Sequence, residues 1–470
     1  MAKRKYLDRR ILDADGLLPA DAELLRELIR VYEEHRQKNT VKRRYYDGHI
    51  PLAEVNLGLA LPKELQGLEM DCAWGGKAVD VLAARSRFDG FVGKDGQSVE
   101  ALDRIAAANR LKAEYAKAVR QELTYGCTFA TLSADDEIGC RIRFHSPEDA
   151  AAIWDGEKGR IGAGFAFIET DEDSSGRYLS LANLYTDAAV IVLRRFGDVW
   201  KAQYHENSVG RVLMEPLVWN ATARKPFGRS RLKAPVRRLI QSYVRTICNA
   251  TIGLEFSTAP QKYLLGVTED QYDTLVSDKF RAYVGSLIAS TVNPETGEKP
   301  TFGQLSQGTI EPHVQMMRLI SAQFSAATGL SLTDVGLVND ANPTSADAIE
   351  AQSKALSLAA EQLNESNGDA LYQIALMAQA IAEKKQIRAL DDDSRNVIAH
   401  FKNPTMSSIS AMADAAMKIA GTRPEFAQTD VFMEMVGFDQ ADIRRIKAQE
   451  SRARGLQLLT EETDDADLPE

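Results

Sequence analysis

Residues able to transfer protons, attack electrophiles or hold metal ions are scattered through this 470-residue chain. The six histidines (His35, His49, His145, His205, His313 and His400) show no ligand spacing, and His205-Glu206 lies in a turn-rich stretch that reads as a solvated loop. The four cysteines, Cys72, Cys127, Cys140 and Cys248, stand far apart with no CxxC pair. That spacing indicates neither a zinc ribbon nor a disulfide framework, and a reducing compartment is the expectation. Two acidic triplets, Asp135-Asp136-Glu137 and Asp391-Asp392-Asp393, offer the oxygen ligands that Mg²⁺ takes. A nuclease would need carboxylates converging from several elements, and a hairpin tip and a helix end account for these two runs better. No GxxxxGK[ST], GxSxG or HExxH occurs, and Gly75-Gly76-Lys77 lacks both the spacing and the hydroxyl of a phosphate loop. The chain reads as a non-enzyme, with no cofactor and no metal site expected.

Two other features stand out. From Ala221 to Leu254 there are eight bases and no acid: Arg224, Lys225, Arg229, Arg231, Lys233, Arg237, Arg238 and Arg245. This is a surface for phosphates or for an acidic neighbouring subunit, against the plainer reading of a solvated helix start. Subunit contact is favoured over DNA because the chain as a whole is acidic. The second feature is GLVNDANPTSADAIEAQSKAL, a polar loop set between two amphipathic helices. Such a loop projects into a cavity, or simply connects the helices.

The balance of 57 Lys and Arg against 67 Asp and Glu gives a net charge of −10, which weakens any reading as a DNA-coating protein. It leaves room for a protein that DNA passes without sticking. The composition, 44% hydrophobic and 26% charged with 31 Gly and 15 Pro, is that of a folded chain of about three domains. No apolar run reaches ~18 residues, so no membrane helix is expected. The N-terminus has basic residues without the apolar core of a signal peptide, which places the chain in the cytoplasm or assembles it there.

The elements that position these residues follow from periodicity. Residues 21–46 predict an amphipathic helix through Leu24, Leu28 and Tyr32, running into Lys42-Arg43-Arg44 and stopping at Gly48. Helices are expected at 71–87 and 98–124, with a Gly-rich turn at Asp89–Gly93 between them. From 126 to 220 short apolar runs (129–132, 141–144, 165–169, 188–196, 199–204) alternate with turn signals at 155–159 and 171–176, an antiparallel β-rich region. Val236, Leu239, Ile240, Tyr243, Ile247, Ala250 and Leu254 predict a helix with Pro235 in its first turn. Residues 259–305 read as a mixed insertion: strand 263–267, a helix opening at Thr268 and strand 287–292. A helix at about 311–328, the loop 329–343 and a long helix capped by Thr344 and Asp347 follow. Ile349, Leu356, Leu363, Ala370 and Met377 fall seven apart, and Asn364–Gly368 marks a place for a kink or break. Residues 405–453 read as three short helices with stops at Gly421 and Gly437. The last ten residues carry six acids and no base, the composition of a disordered tail.

Several of these stretches resemble one family, in collinear order. Asn342-Pro343-Thr344-Ser345-Ala346-Asp347-Ala348-Ile349 resembles the N-P-x-S-A-x-A-I stretch of phage portal proteins, more narrowly those of long-tailed double-stranded DNA bacteriophages. Tyr45-Tyr46-Asp47-Gly48 is similar to the family's early YY-x-G, and residues 79–90 to the helix and turn that lead into its wing. Phe227-Gly228-Arg229-Ser230-Arg231-Leu232 resembles the G-x-S-x-L before its first stem helix. Phe302–Leu305 with Glu311-Pro312, and then Ala326-Ala327-Thr328-Gly329, resemble the second stem helix's approach and end. The resemblance covers about residues 20–455.

What the resemblance implies is an α+β portal fold with a helical stem and crown, an α/β wing with antiparallel strands and a mixed α/β clip insertion. Mapped here, the wing is 1–230, the first stem helix 231–258, the clip 259–310 and the second stem helix 311–328. The tunnel loop is 329–344, the long wing helix 345–390, the crown 391–455 and the acidic, disordered tail 456–470. Twelve copies form a ring at one capsid vertex of the virion, carrying about −120 in total, and double-stranded DNA is packaged and ejected through its channel. Large terminase, the major capsid and scaffold proteins and a head–tail connector are the implied partners, with no membrane. Asn339, Asp340 and Asn342 are the expected channel residues, and Arg229, Arg231, Lys233, Arg237, Arg238 and Arg245 the expected subunit-contact or DNA-facing bases. Two alternatives stand beside this: a phage head or connector protein without a DNA channel, and a metal-dependent phage nuclease.

Overall fold

Leu24, Leu25, Leu28, Ile29 and Tyr32 recur at three- and four-residue steps, and in the computed structural model they lie along one face of α1 (Pro19–Asp47). The structure describes residues 7–51, 69–93, 99–173, 176–258, 262–265, 297, 301–304, 309–336, 346–405, 409–438 and 440–465. Pro19 sits in the first turn of α1, and Gly48 closes it in the left-handed region (φ 84°), as its pattern predicts. Short strands β1 (His49–Pro51) and β2 (Glu69–Asp71) precede α2 (Trp74–Ala83). The chain divides into two compact units: residues 1–50, 71–238 and 324–470, and residues 51–70 and 239–323.

In the first unit, β3 (Phe88–Gly93) is a strand where a Gly-rich turn was expected, and it is followed by α3 (Glu100–Ala108) and α4 (Leu111–Tyr125). The single helix expected over 98–124 is broken because Arg110 takes a left-handed φ of 51°. The Asn109 side chain stabilises the break: Nδ2 donates to the carbonyls of Ile105 and Cys140, and Oδ1 accepts from the Ile142 amide at 2.8 Å.

The β-rich region is confirmed and larger than expected. Strands β4 (Cys127–Asp135), β5 (Gly139–His145), β6 (Ala150–Asp155), β7 (Arg160–Asp173), β8 (Gly176–Tyr185), β9 (Ala189–Phe196), β10 (Val199–Glu206) and β11 (Met214–Val218) form two antiparallel sheets, ordered β10-β9-β8-β7-β6 and β11-β4-β5. The predicted turn at 155–159 falls between β6 and β7; at the other predicted site, 171–176, β7 ends at Asp173 and β8 begins at Gly176, and these two residues pair. The apolar stripe of α1 packs on the larger sheet, with Leu25, Leu28 and Tyr32 in one buried cluster with Phe165, Phe167, Leu184, Leu193 and Trp200. Burying such side chains contributes about 1.5–3 kcal/mol each, so this contact holds α1 in place.

Three later helices cross the unit boundary or return to this unit: α5 (Ala234–Thr258), α6 (Glu311–Thr328) and α7 (Ala346–Ala382). Between α5 and α6, within the second unit, β12 (Lys262–Leu265) pairs antiparallel with β13 (Thr301–Gln304). The expected helix at 268 and strand at 287–292 lie outside the described residues. α7 is continuous through Asn364–Gly368, against the expected kink, and ends at Ala382 rather than 390. Asn364 and Asn367 are buried while Glu365 and Ser366 stay exposed, and the Asn367 amide donates to Glu122 Oε2 at 2.8 Å and to the Tyr115 hydroxyl at 2.9 Å. The hydroxyls of Tyr115 and Ser86 are 2.8 Å apart. Glu122 is wholly buried, and burial pushes its carboxyl up to about 8.

The C-terminal helices are α8 (Ile409–Thr422), α9 (Asp430–Val436) and α10 (Gln440–Asp465), after a strand, β14 (Val397–Phe401), that pairs antiparallel with β3. The expectation of a disordered 456–470 is corrected over 456–465, which continues α10; residues 466–470 are outside the described set. A helix can carry these acids because Glu and Gln are good helix formers. No helix is long and apolar enough to cross a membrane among the described residues.

α1 and α2 touch most closely at Gly75. A Cβ there would lie 1.9 Å from the Tyr45 carbonyl oxygen, which is backbone and cannot yield. Gly75→Ala is expected to lower unfolding free energy by about 2–3 kcal/mol in urea titration, the cost of overpacking. Gly156→Ala, where a Cβ meets nothing within 4 Å, is expected to change it by less than about 0.5 kcal/mol.

Candidate functional site

The basic segment folds as an irregular strap between β11 and α5. Thr222 and Lys225 exchange backbone hydrogen bonds, and the Gly228 amide donates to the Lys225 carbonyl. Gly228 has φ +63° and packs so closely on Trp219 that a Cβ would lie 2.2 Å from its carbonyl oxygen. The strap is tied to the end of α4: the Ser230 hydroxyl donates to the Thr124 carbonyl at 2.6 Å, and the Arg231 amide to that of Leu123 at 2.8 Å. Phe227 anchors it edge-on against Phe129 and Trp154.

This scaffold separates the predicted bases. Arg231 is used inside the unit: its guanidinium donates to the Ala78 carbonyl at 2.6 Å and to the Thr328 carbonyl, and burial pushes its pKa down to about 10. Arg229, Lys233 and Arg238 are exposed, and Arg237 is half-buried with its guanidinium 5.8 Å over the Tyr45 ring. Arg245 is exposed further along α5, in the second unit.

The sequence did not reveal the partner of the strap. α1 runs beside it, and between them is a cavity of about 560 Å³ lined by α1 side chains and by most of 224–237. Lys38 and Lys42, one helical turn apart, face the same cavity as Arg224, Lys225, Arg229, Lys233 and Arg237. Lys42 donates to the Tyr125 carbonyl at 2.7 Å and to Asn39 Oδ1 at 3.2 Å. Burial, and then the nearby Arg237, Lys38 and Lys225 cations, hold its pKa below the usual lysine value. The spacing of Lys38 and Lys42 was a visible signal; their proximity to residues nearly 200 positions later was not.

The loop after α6 begins in order. The Ser331 hydroxyl donates to Asp334 Oδ2 at 2.7 Å, the Asp334 amide donates back to that hydroxyl, and Lys77 pairs with Asp334 at 3.6 Å. Asn339, Asp340 and Asn342 lie outside the described residues. The two acidic triplets have local explanations. Asp135 caps the β4–β5 turn and binds Arg141, and Asp391 caps the helical turn Asp392–Arg395. No cluster of three or more His, Cys, Asp or Glu able to hold a metal occurs among the described residues.

An α+β fold, antiparallel sheets beneath a long helix and an insertion between two helices define the class to which the comparisons point. Residues 26–455 match the family described as phage portal protein, SPP1 Gp6-like, and the chain belongs to that family. Among solved structures it is similar to a chain of the virion of a native gene transfer agent particle, at 11% identity over 85% of this chain and 93% of that one, with a TM-score of 0.46. It is also similar to a chain from the neck of an empty particle of that kind with C6 symmetry (12% identity, 80% and 89% coverage, TM-score 0.45). A third similarity is to the neck of a native particle with C12 symmetry (10%, 78% and 89%, TM-score 0.43). No curated protein matches.

Proposed function

We propose that this chain assembles as a ring, with twelve copies, at one capsid vertex of a virion put together in the host cytoplasm. Double-stranded DNA is packaged and ejected through its channel. The ring docks the large terminase, then a head–tail connector, and contacts major capsid and scaffold proteins. The observation that carries this reading is the family match over 26–455, nearly the whole chain. The helices α5 and α6 bracketing the 259–310 insertion agree with a stem and clip, and α8–α10 with a crown. The role is structural, and no chemical step is assigned to any residue.

In this reading 329–344 is the tunnel loop, with Asn339, Asp340 and Asn342 touching DNA loosely while the net charge of −10 per copy keeps non-specific binding weak. Deleting 338–342 is expected to leave rings visible end-on by negative stain but to cut DNA packaging and retention at least tenfold in an in vitro packaging assay. Unaltered packaging would remove the tunnel-loop role. The exposed Arg229, Lys233, Arg238 and Arg245, with Arg237, are assigned to acidic surface on the neighbouring subunit.

A further inference from the structure

We propose that the cavity between α1 and the 224–237 strap is a binding site for a nucleotide unit, with phosphate held by its cationic rim and the base on its apolar floor. Three observations carry this, and Lys38, Lys42, Arg224 and Lys225 of the rim stand outside the bases assigned above to subunit contact, so the site does not require Arg229, Lys233 or Arg237 to be free in a ring. First, the cavity gathers seven cations, two from α1 and five from the strap, and among the described residues no Asp or Glu lines it. None of the seven makes an ion pair among the described residues. Like charges four apart on a helix and a half-buried lysine bonded only to neutral acceptors are unfavourable by themselves. An incoming polyanion would relieve that cost. Second, the floor is apolar: Phe227, Phe129 and the alanines 150–152 of β6. Inorganic phosphate would not need such a floor, whereas a base stacks on one. Third, about 560 Å³ is the size of a small-ligand site, whereas a duplex side is met by an extended surface.

The phosphate can come from a free nucleotide or from a single-stranded end of nucleic acid, and the experiment separates them. The purified full chain is titrated at constant ionic strength with dAMP, pyrophosphate, a 12-nucleotide single strand and a 12-base-pair duplex, and followed by calorimetry and thermal unfolding. Saturable stabilisation by dAMP or by the single strand, absent with duplex, is expected; dAMP binding identifies the free source, and binding of the strand alone the nucleic-acid end. Lys38→Glu with Lys225→Glu is expected to weaken that binding at least tenfold. Both residues are exposed and outside the bases assigned to subunit contact, so ring assembly is read separately by native mass spectrometry. Lys42→Met gives a second loss of binding should the charge reversal impair folding. No saturable binding by any probe, binding unchanged in the variants, or pyrophosphate equal to dAMP would overturn the proposal. So would preferential capture of a peptide of residues 461–470, which would make the occupant the acidic C-terminus of another copy.

Discussion

Glu122→Gln is expected to remove a large part of the pH dependence of stability between about pH 4.5 and 8, the remainder coming from Glu215, whose carboxyl burial raises to about 7. The Glu122 carboxyl is fully buried at the contact of α4 and α7, its Oε2 accepts from Asn367, and its Oε1 has no partner among the described residues. In the folded chain it keeps its proton up to about pH 8, while in the unfolded chain it releases it near 4.5. The raised pKa of an acid therefore contributes stability that is fully present below pH 4.5 and is lost as pH rises towards 8. At about 1.4 kcal/mol per unit, the loss approaches roughly 3–5 kcal/mol. The amide carries no proton to lose. Urea unfolding should therefore give nearly equal stabilities for the two proteins near pH 5, and a variant several kcal/mol more stable than the parent at pH 9. A parallel pair of curves would mean that Glu122 is ionised throughout.

Arg237→Glu with Arg238→Glu should leave monomers. A ring of twelve would weigh about 620 kDa against 51.8 kDa for one chain, so native mass spectrometry or light scattering separates the outcomes without ambiguity. If these bases meet an acidic neighbour as proposed, charge reversal would replace attraction by repulsion, and across a repeated interface the penalty would recur at every contact. Arg237 also donates to the Leu232 carbonyl at 3.2 Å, so its reversal disturbs the start of α5. Arg238→Glu alone, at an exposed position, tests the interface with little local cost. It should already raise the concentration needed for assembly by at least tenfold, and more at low salt than at high, because exposed charges are screened. Intact rings from the double variant would remove the subunit-contact role.

Helices with a strong apolar period were legible from sequence, and elements that depend on distant partners were not. α1 follows from its own stripe and its Gly48 stop. β3 was hidden by Gly90 and Gly93, because what makes it a strand is its pairing with β14. β6 is alanine-rich, and β11 contains Pro216, which demotes a strand; it is tolerated because β11 lies at a sheet edge. The polar middle of α7 looked like a weak point because Glu122 and Tyr115, its partners, are some 250 residues earlier. The site divided in the same way. The charge run 224–245 was visible as composition, but its sorting into the internally bonded Arg231, the exposed bases and the cavity rim depends on α1 and α4.

The pairing of β3 with β14 also bears on how the chain comes to be folded during synthesis. Val397 lies opposite Gly93, a separation of roughly 300 residues, so the contact is strongly non-local. A ribosome adding about 5–20 residues per second needs some 15–60 s to pass from one strand to the other. Throughout that interval Phe88 and Phe91, both buried in the finished protein, have no edge to join. The larger sheet and α1 can close much earlier, since their strands are complete by residue 206. Vectorial folding thus proceeds from the sheet outward, with the segment around β3 the last part of the N-terminal half to be sealed.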